Sequence, residues 1–123
     1  DLDAMIRHFE ASSWAALEPL EVELAVETVI DGIAIRGRID AVFARPEGGV
    51  CIVDWKSGRP PTGAAAAARA VQLAAYRIAY ARLRGLDEKE VKAAFYYATS
   101  GVTVYPELPS TRQLRGLLAI VSR

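Results

Sequence analysis

The sequence predicts a layered α/β domain: a mixed sheet of about five strands, a β-meander followed by a crossover helix, with helices packed against it. Three observations point there. Charged and apolar residues alternate over Glu21–Ile30, directly before the turn signal Asp31-Gly32. Two more apolar runs follow, Ile33–Phe43 and Val50–Lys56, separated by Pro46-Glu47-Gly48-Gly49. A long alanine-rich segment then precedes a second hairpin signal at Ser100-Gly101.

Each element has a local reason. Asp1 or Asp3 can cap a first helix that carries Met5, Ile6 and Phe9 on its apolar side and is expected to reach about Leu17, before Pro19. Asp-Gly between alternating runs is a strong hairpin signal, so the first two strands are expected to be antiparallel. The glycine-containing turn after Phe43 continues this into a three-strand meander. Ser57–Gly63 holds two prolines and no periodicity, and is expected to be a loop. From about Ala64 to Leu83 the alanines favour helix, Leu73, Tyr76, Tyr80 and Leu83 form an apolar stripe, and Gly85 closes the segment. A helix of that length lets the third strand (Val50–Lys56) and the fourth (Val91–Ala98) lie parallel. Val102–Tyr105 is expected to be the fifth strand, and Ser110 with Gln113 makes a capping box for a last helix to about Val121. No internal repeat is evident, and residues 1–123 are expected to form one domain.

Composition narrows the function classes. A chain of 123 residues that is 52% hydrophobic and 24% charged can bury a core and is not disordered. Fifteen Lys+Arg balance fifteen Asp+Glu, so there is no global basic field for nucleic acid, and any phosphate affinity must be local or come from outside these residues. The single cysteine, Cys51, lies in an apolar run, which excludes an internal disulfide or a four-cysteine metal site and reads as a buried thiol. Neither a signal peptide nor a membrane-length apolar run is present, and a cytoplasmic location without membrane partner is expected. The chain opens at Asp1-Leu2-Asp3, without Met and within a helical pattern, and is expected to be a piece of a longer polypeptide.

The chemistry is concentrated in Gly37-Arg38-Ile39-Asp40 and Asp54-Trp55-Lys56-Ser57-Gly58. Alternation along a strand puts Asp54 and Lys56 on one face and Trp55 on the other. Asp40 is expected to end the preceding strand, and an antiparallel hairpin of this length can bring it beside Asp54. Two adjacent carboxylates raise each other's pKa unless a cation lies between them, and Mg²⁺ prefers one or two carboxylates plus waters. A neighbouring ammonium can orient water and offset charge on phosphorus. Alone, Asp-x-Lys also describes an ordinary surface ion pair. The complete string, with Gln72 and Tyr76 spaced i,i+4 on the following helix, is more specific.

With those stretches, together with Val22–Glu27 and Gln72–Arg77, the chain resembles the PD-(D/E)XK nuclease superfamily in its RecB-like branch, and in particular the nuclease domain at the C-terminus of UvrD/Rep-type (superfamily 1) helicases of actinobacteria. The resemblance implies a restriction-endonuclease-like core and a Mg²⁺- or Mn²⁺-dependent DNA nuclease, without small-molecule cofactor, joined to the helicase domains of the same parent chain. It implies Asp40 and Asp54 as metal ligands, with the backbone carbonyl of Trp55 as a third contact. Lys56 would position the attacking water. Gln72 and Tyr76 would support the Lys56 neighbourhood or touch the DNA backbone, and Glu23 would be the acidic residue from the first strand, with Glu27 sharing its face. Tyr76 also suits the core, and Gln72, Glu23 and Glu27 also suit a solvated surface. Arg38 and Arg59 suit either phosphate or free surface. RecB-like nucleases further use an upstream histidine in a Gly-x-x-x-His context. That context is missing here, and His8 reads as part of the helix before the first strand. The ligand set is therefore expected to be incomplete, which leaves a DNA-binding or structural module as the alternative function.

Overall fold

A computed structural model describes residues 1–121. Helix α1 (Leu2–Glu10) leads into strands β1 (Glu21–Ile30), β2 (Ile33–Ala44) and β3 (Val50–Lys56). Helix α2 (Gly63–Arg84), a single 3-10 turn (Glu88–Glu90), strands β4 (Val91–Tyr97) and β5 (Val102–Val104), and helix α3 (Thr111–Val121) follow. The five strands form one sheet in the order β1-β2-β3-β4-β5. All neighbours are antiparallel except β3 and β4, which run parallel across the α2 crossover. This is the mixed α/β sheet that the meander and the long helix imply.

The local devices act as their chemistry dictates. Asp31 and Gly32 both have positive φ (51° and 78°), the requirement of a two-residue type I′ hairpin. Gly85 ends α2 in the left-handed conformation, and the Leu86 N–H reaches back to the Ala81 carbonyl. Ser110 and Gln113 cap α3 reciprocally, each backbone N–H donating to the other's side chain. The first helix is shorter than its apolar pattern predicts, ending at Glu10 and not near Leu17. Ser12 takes the Phe9 carbonyl with both its N–H and its hydroxyl, which closes the helix in a turn. Trp14 is thereby freed to bury its ring on the sheet, with its indole N–H donating to Thr103 Oγ1 at 3.0 Å.

Helix α2 covers one face of the sheet, and its alanines are the reason it fits. Ala74, Ala75, Ala79 and Ala81 are buried with Val71, Leu73, Ile78 and Tyr80, so the helix approaches the strands closely along a broad face. The expected stripe is corrected at one position: Leu83, at the end of the helix, is half exposed. Beneath α2 lie Val26, Ile39, Val42, Ile52, Val91, Ala93, Phe95 and Tyr97. The opposite face buries Ala41, Phe43, Cys51, Val53, Ala94 and Tyr96 with Trp14. Burial pushes the Cys51 thiol up to about 11, so it is an inert core group.

One glycine sets how close α2 comes to β2. A Cβ at Gly37 would intrude on the ring and hydroxyl of Tyr76. The Gly37→Ala protein is therefore expected to lose about 1–3 kcal/mol of stability from overpacking. Pairing it with Tyr76→Leu should recover much of that loss, as read from urea unfolding of the two single variants and the double.

Candidate active site

The β2–β3 ladder stops at the residues that carry the chemistry. Arg45 N–H donates to the Gly49 carbonyl, and pairing proceeds in register through Phe43–Cys51 to Ala41–Val53. By the alternation of an antiparallel ladder, Trp55 N–H would next donate to the carbonyl of Ile39. It donates instead to Asp40 Oδ2 at 2.8 Å. The carboxylate thus replaces a backbone acceptor and is held in the gap between the strands. Asp40 lies within β2 and not at its end.

The gap arises from a kink shared by β1 and β2. Ladder positions are paired from Glu21–Val42 to Ile30–Ile33, with Glu23–Asp40 missing. Glu23 has φ +48°, a left-handed conformation uncommon for a non-glycine residue in a strand. Glu21 on one side of it and Leu24 on the other both face α2, Glu21 accepting from Tyr80 Oη at 2.7 Å and Leu24 packing with the Ile39 cluster. Ile39 and Val42 likewise share one face. Both strands switch their alternation at the same level, which turns the Asp40 carboxylate along the sheet toward β3.

Asp54 and Lys56 lie on the α2 side of β3, with Lys56 Nζ 3.1 Å from Asp54 Oδ2. Their side chains are only 24% and 27% exposed, so this is not a freely solvated pair. The Asp54 carboxyl is raised to about 6, chiefly by burial and then by a hydrogen bond with the Asp40 carboxyl, against the opposing pull of Lys56. Two carboxyl groups in contact must share a proton or a cation. That chemistry fits a divalent metal held by Asp40 and Asp54, with waters completing its shell. Trp55 turns its ring to the other face, edge-on to Phe9 and Tyr96 at centroid distances of 5.9 and 5.8 Å.

Other expected site residues are placed elsewhere. Glu23 is exposed and does not join the Asp40–Asp54 pair; among the described residues no three His, Cys, Asp or Glu side chains converge as a metal site. The cause is the kink at Glu23, which takes its side chain out of the strand's regular alternation. Glu27 pairs with Arg36 at 3.1 Å on the face away from α2. Gln72 and Tyr76 line a groove with Ala34, Ile35 and Arg36, upstream of Asp40; Tyr76 is half-buried against Gly37 of β2, whereas Gln72 is exposed. Arg38 and Arg59 are exposed. His8 packs against the Gly101 turn, with α1 on the Trp55 face. Sequence reasoning missed Arg69 and Tyr97, which hydrogen-bond to each other at 3.1 Å on the α2 side of the sheet. The available signal was an isolated arginine in an alanine run, three residues before Gln72.

The sequence model of the PD-(D/E)XK nuclease superfamily matches residues 2–122. The chain belongs to this superfamily. In structure it is similar to the crystal structure of SSO0001, at a TM-score of 0.51 and 17% identity, a likeness of fold. That match covers 99% of this chain and 58% of SSO0001, so the chain spans little more than half of that protein's length. No curated protein sequence matches it.

Two measurements test the site. A carboxyl whose folded pKa lies above its usual value near 3.8 favours the protonated state, so its stabilising contribution is present below about pH 4 and lost as pH rises through about 6. In EDTA, Asp54→Asn is therefore expected to raise the urea midpoint over wild type at pH 7, with the two converging near pH 4. At the kink, Glu23→Val should destabilise by about 1–2 kcal/mol despite the β-propensity of valine, whereas Glu23→Gly should be close to neutral. The reverse order would mean that Glu23 is a regular strand residue.

Proposed function

We propose that this chain is the RecB-like nuclease domain of a longer DNA repair or recombination helicase of the UvrD/Rep type, hydrolysing DNA phosphodiesters with Mg²⁺ or Mn²⁺. The reading is supported above all by one observation: Asp40, held on Trp55 N–H, lies close enough to Asp54 to raise its carboxyl, with Lys56 paired to the latter, at the break in the ladder of a PD-(D/E)XK fold. Asp40 and Asp54 would hold the metal, and the carbonyl of Trp55 remains its proposed third contact. When bound, the metal supplies Lewis acidity toward a phosphoryl oxygen.

The remaining roles belong to the chain. The Lys56 ammonium, paired with Asp54, would orient the attacking water and offset the charge developing on phosphorus. Water oxygen forms the new bond to phosphorus as its proton passes to solvent, the bridging P–O bond breaks, and the departing oxygen takes up a proton from solvent. Tyr76 acts one step away, by setting the seat of α2 on β2 against Gly37, and exposed Gln72 remains a proposed contact to the DNA backbone.

A second reading is a nuclease-fold module that holds DNA without cutting it. It is favoured by the convergence of two acidic groups and no third among the described residues.

Cleavage of linear single- and double-stranded DNA with Mg²⁺ or Mn²⁺ distinguishes them. In the full-length parent, Asp54→Ala and Lys56→Ala should each lower the rate by about a hundredfold or more. The isolated chain is expected to cleave poorly. Asp40 is tested as Asn, whose carbonyl can still accept Trp55 N–H, so that the charge is removed while the strand contact is kept. Cleavage that survives both Asp54→Ala and Lys56→Ala would refute the site. A parent that binds DNA but never cuts it would support the module.

A further inference from the structure

The α2 side of the sheet carries a row of cations and aromatic rings leading away from the carboxylates. Lys56 Nζ is 6.0 Å from the centroid of the Phe95 ring. Phe95 and Tyr97 are 6.2 Å apart, and the Arg69 guanidinium lies 5.9 Å from the Tyr97 ring. Tyr97 is the register partner of Lys56 and is 1% exposed, a rigid floor between the two cations.

Arg69 differs from the arginines that serve the fold. Arg36, Arg45, Arg77 and Arg84 each face a carboxylate within ion-pair distance. Among the described residues Arg69 has no such partner, and a single hydrogen bond to the neutral Tyr97 hydroxyl aims it. A half-buried guanidinium anchored at one nitrogen keeps its other N–H donors in a fixed fork, the geometry that suits a phosphate. It costs little further ordering to bind, because the tyrosine has already positioned it. Net neutrality of the chain makes such a placed charge more telling, since no general basic field would hold a DNA strand.

We infer that Arg69, positioned by Tyr97, binds a backbone phosphate of the DNA strand next to the one at Lys56, and so sets the strand's path across the site. This rests on the DNA-directed reading above, but its test does not require cleavage. Binding of a fluorescein-labelled single-stranded thymidine oligonucleotide is followed by anisotropy in EDTA across a salt series.

Arg69→Ala is expected to weaken binding about five- to tenfold and to lower the slope of log affinity against log salt by about one phosphate contact. Arg69→Lys should keep the slope and recover part of the affinity, since the charge remains but the fork is lost. Tyr97→Phe should weaken binding with the slope unchanged, because it removes only the anchor. Thermal melts confirm that each variant is folded, and should Arg69→Ala not fold, the lysine and phenylalanine variants decide the matter.

Wild-type affinity and slope in Arg69→Ala overturn the inference. So does an equal loss in the alanine and lysine variants with no change of slope, which marks a packing role. Absence of measurable binding by wild type overturns it too. Cleavage by an Asp54→Ala parent defeats only the nuclease assignment and leaves the binding result standing.

Discussion

Asp40 Oδ2 accepts the N–H of Trp55 where the antiparallel ladder would have supplied a carbonyl, and the geometry of the site depends on that exchange. A backbone N–H released from the ladder takes another acceptor, here the Asp40 carboxylate. A carboxylate in this role is held at the mouth of the gap and brought against Asp54 on the neighbouring strand. The same contact thus satisfies the backbone and creates an electrostatic conflict, which burial sharpens and Lys56 only partly relieves. A fold that keeps such a conflict has an acidic pair ready for a cation.

The surrounding structure maintains the parting of the strands. The kink at Glu23 and Asp40 reverses the alternation of β1 and β2 together, so neither strand loses its apolar face to solvent. Tyr80 and Arg84 of α2 hold Glu21, just before the kink, and Arg82 reaches Thr28 and the Val29 carbonyl beyond it. Tyr76 presses on Gly37 from above. Helix α2 is therefore a clamp along β1 and β2 as well as the link that makes β3 and β4 parallel. Its alanines permit the close approach that these contacts require.

Much of the fold was legible because its signals are local. Asp31-Gly32 needs no tertiary partner to turn the chain, and alternation over Glu21–Ile30 marks a strand wherever it docks. The end of α1 was not legible in that way: its apolar pattern runs on toward Leu17, but the Ser12 turn and the burial of Trp14 on the sheet override it. Leu83 fits the helical stripe by spacing, yet at the end of α2 it stays half exposed. In the site, Asp54 and Lys56 share a face by strand periodicity alone, and their link to Asp40 follows from the hairpin.

What the sequence determined by itself is the order of elements, the pairing of the meander and the superfamily motif, since each rests on neighbours a few residues apart. Tertiary structure alone decided that Glu23 leaves the acidic pair, that Glu27 faces away with Arg36, and that Arg69 stands on Tyr97. Those outcomes depend on a kink in two strands and on the seat of one helix, and both are set by packing between residues far apart in the chain. A one-residue change in alternation moves a side chain to the other face, and no periodicity within β1 announces that change.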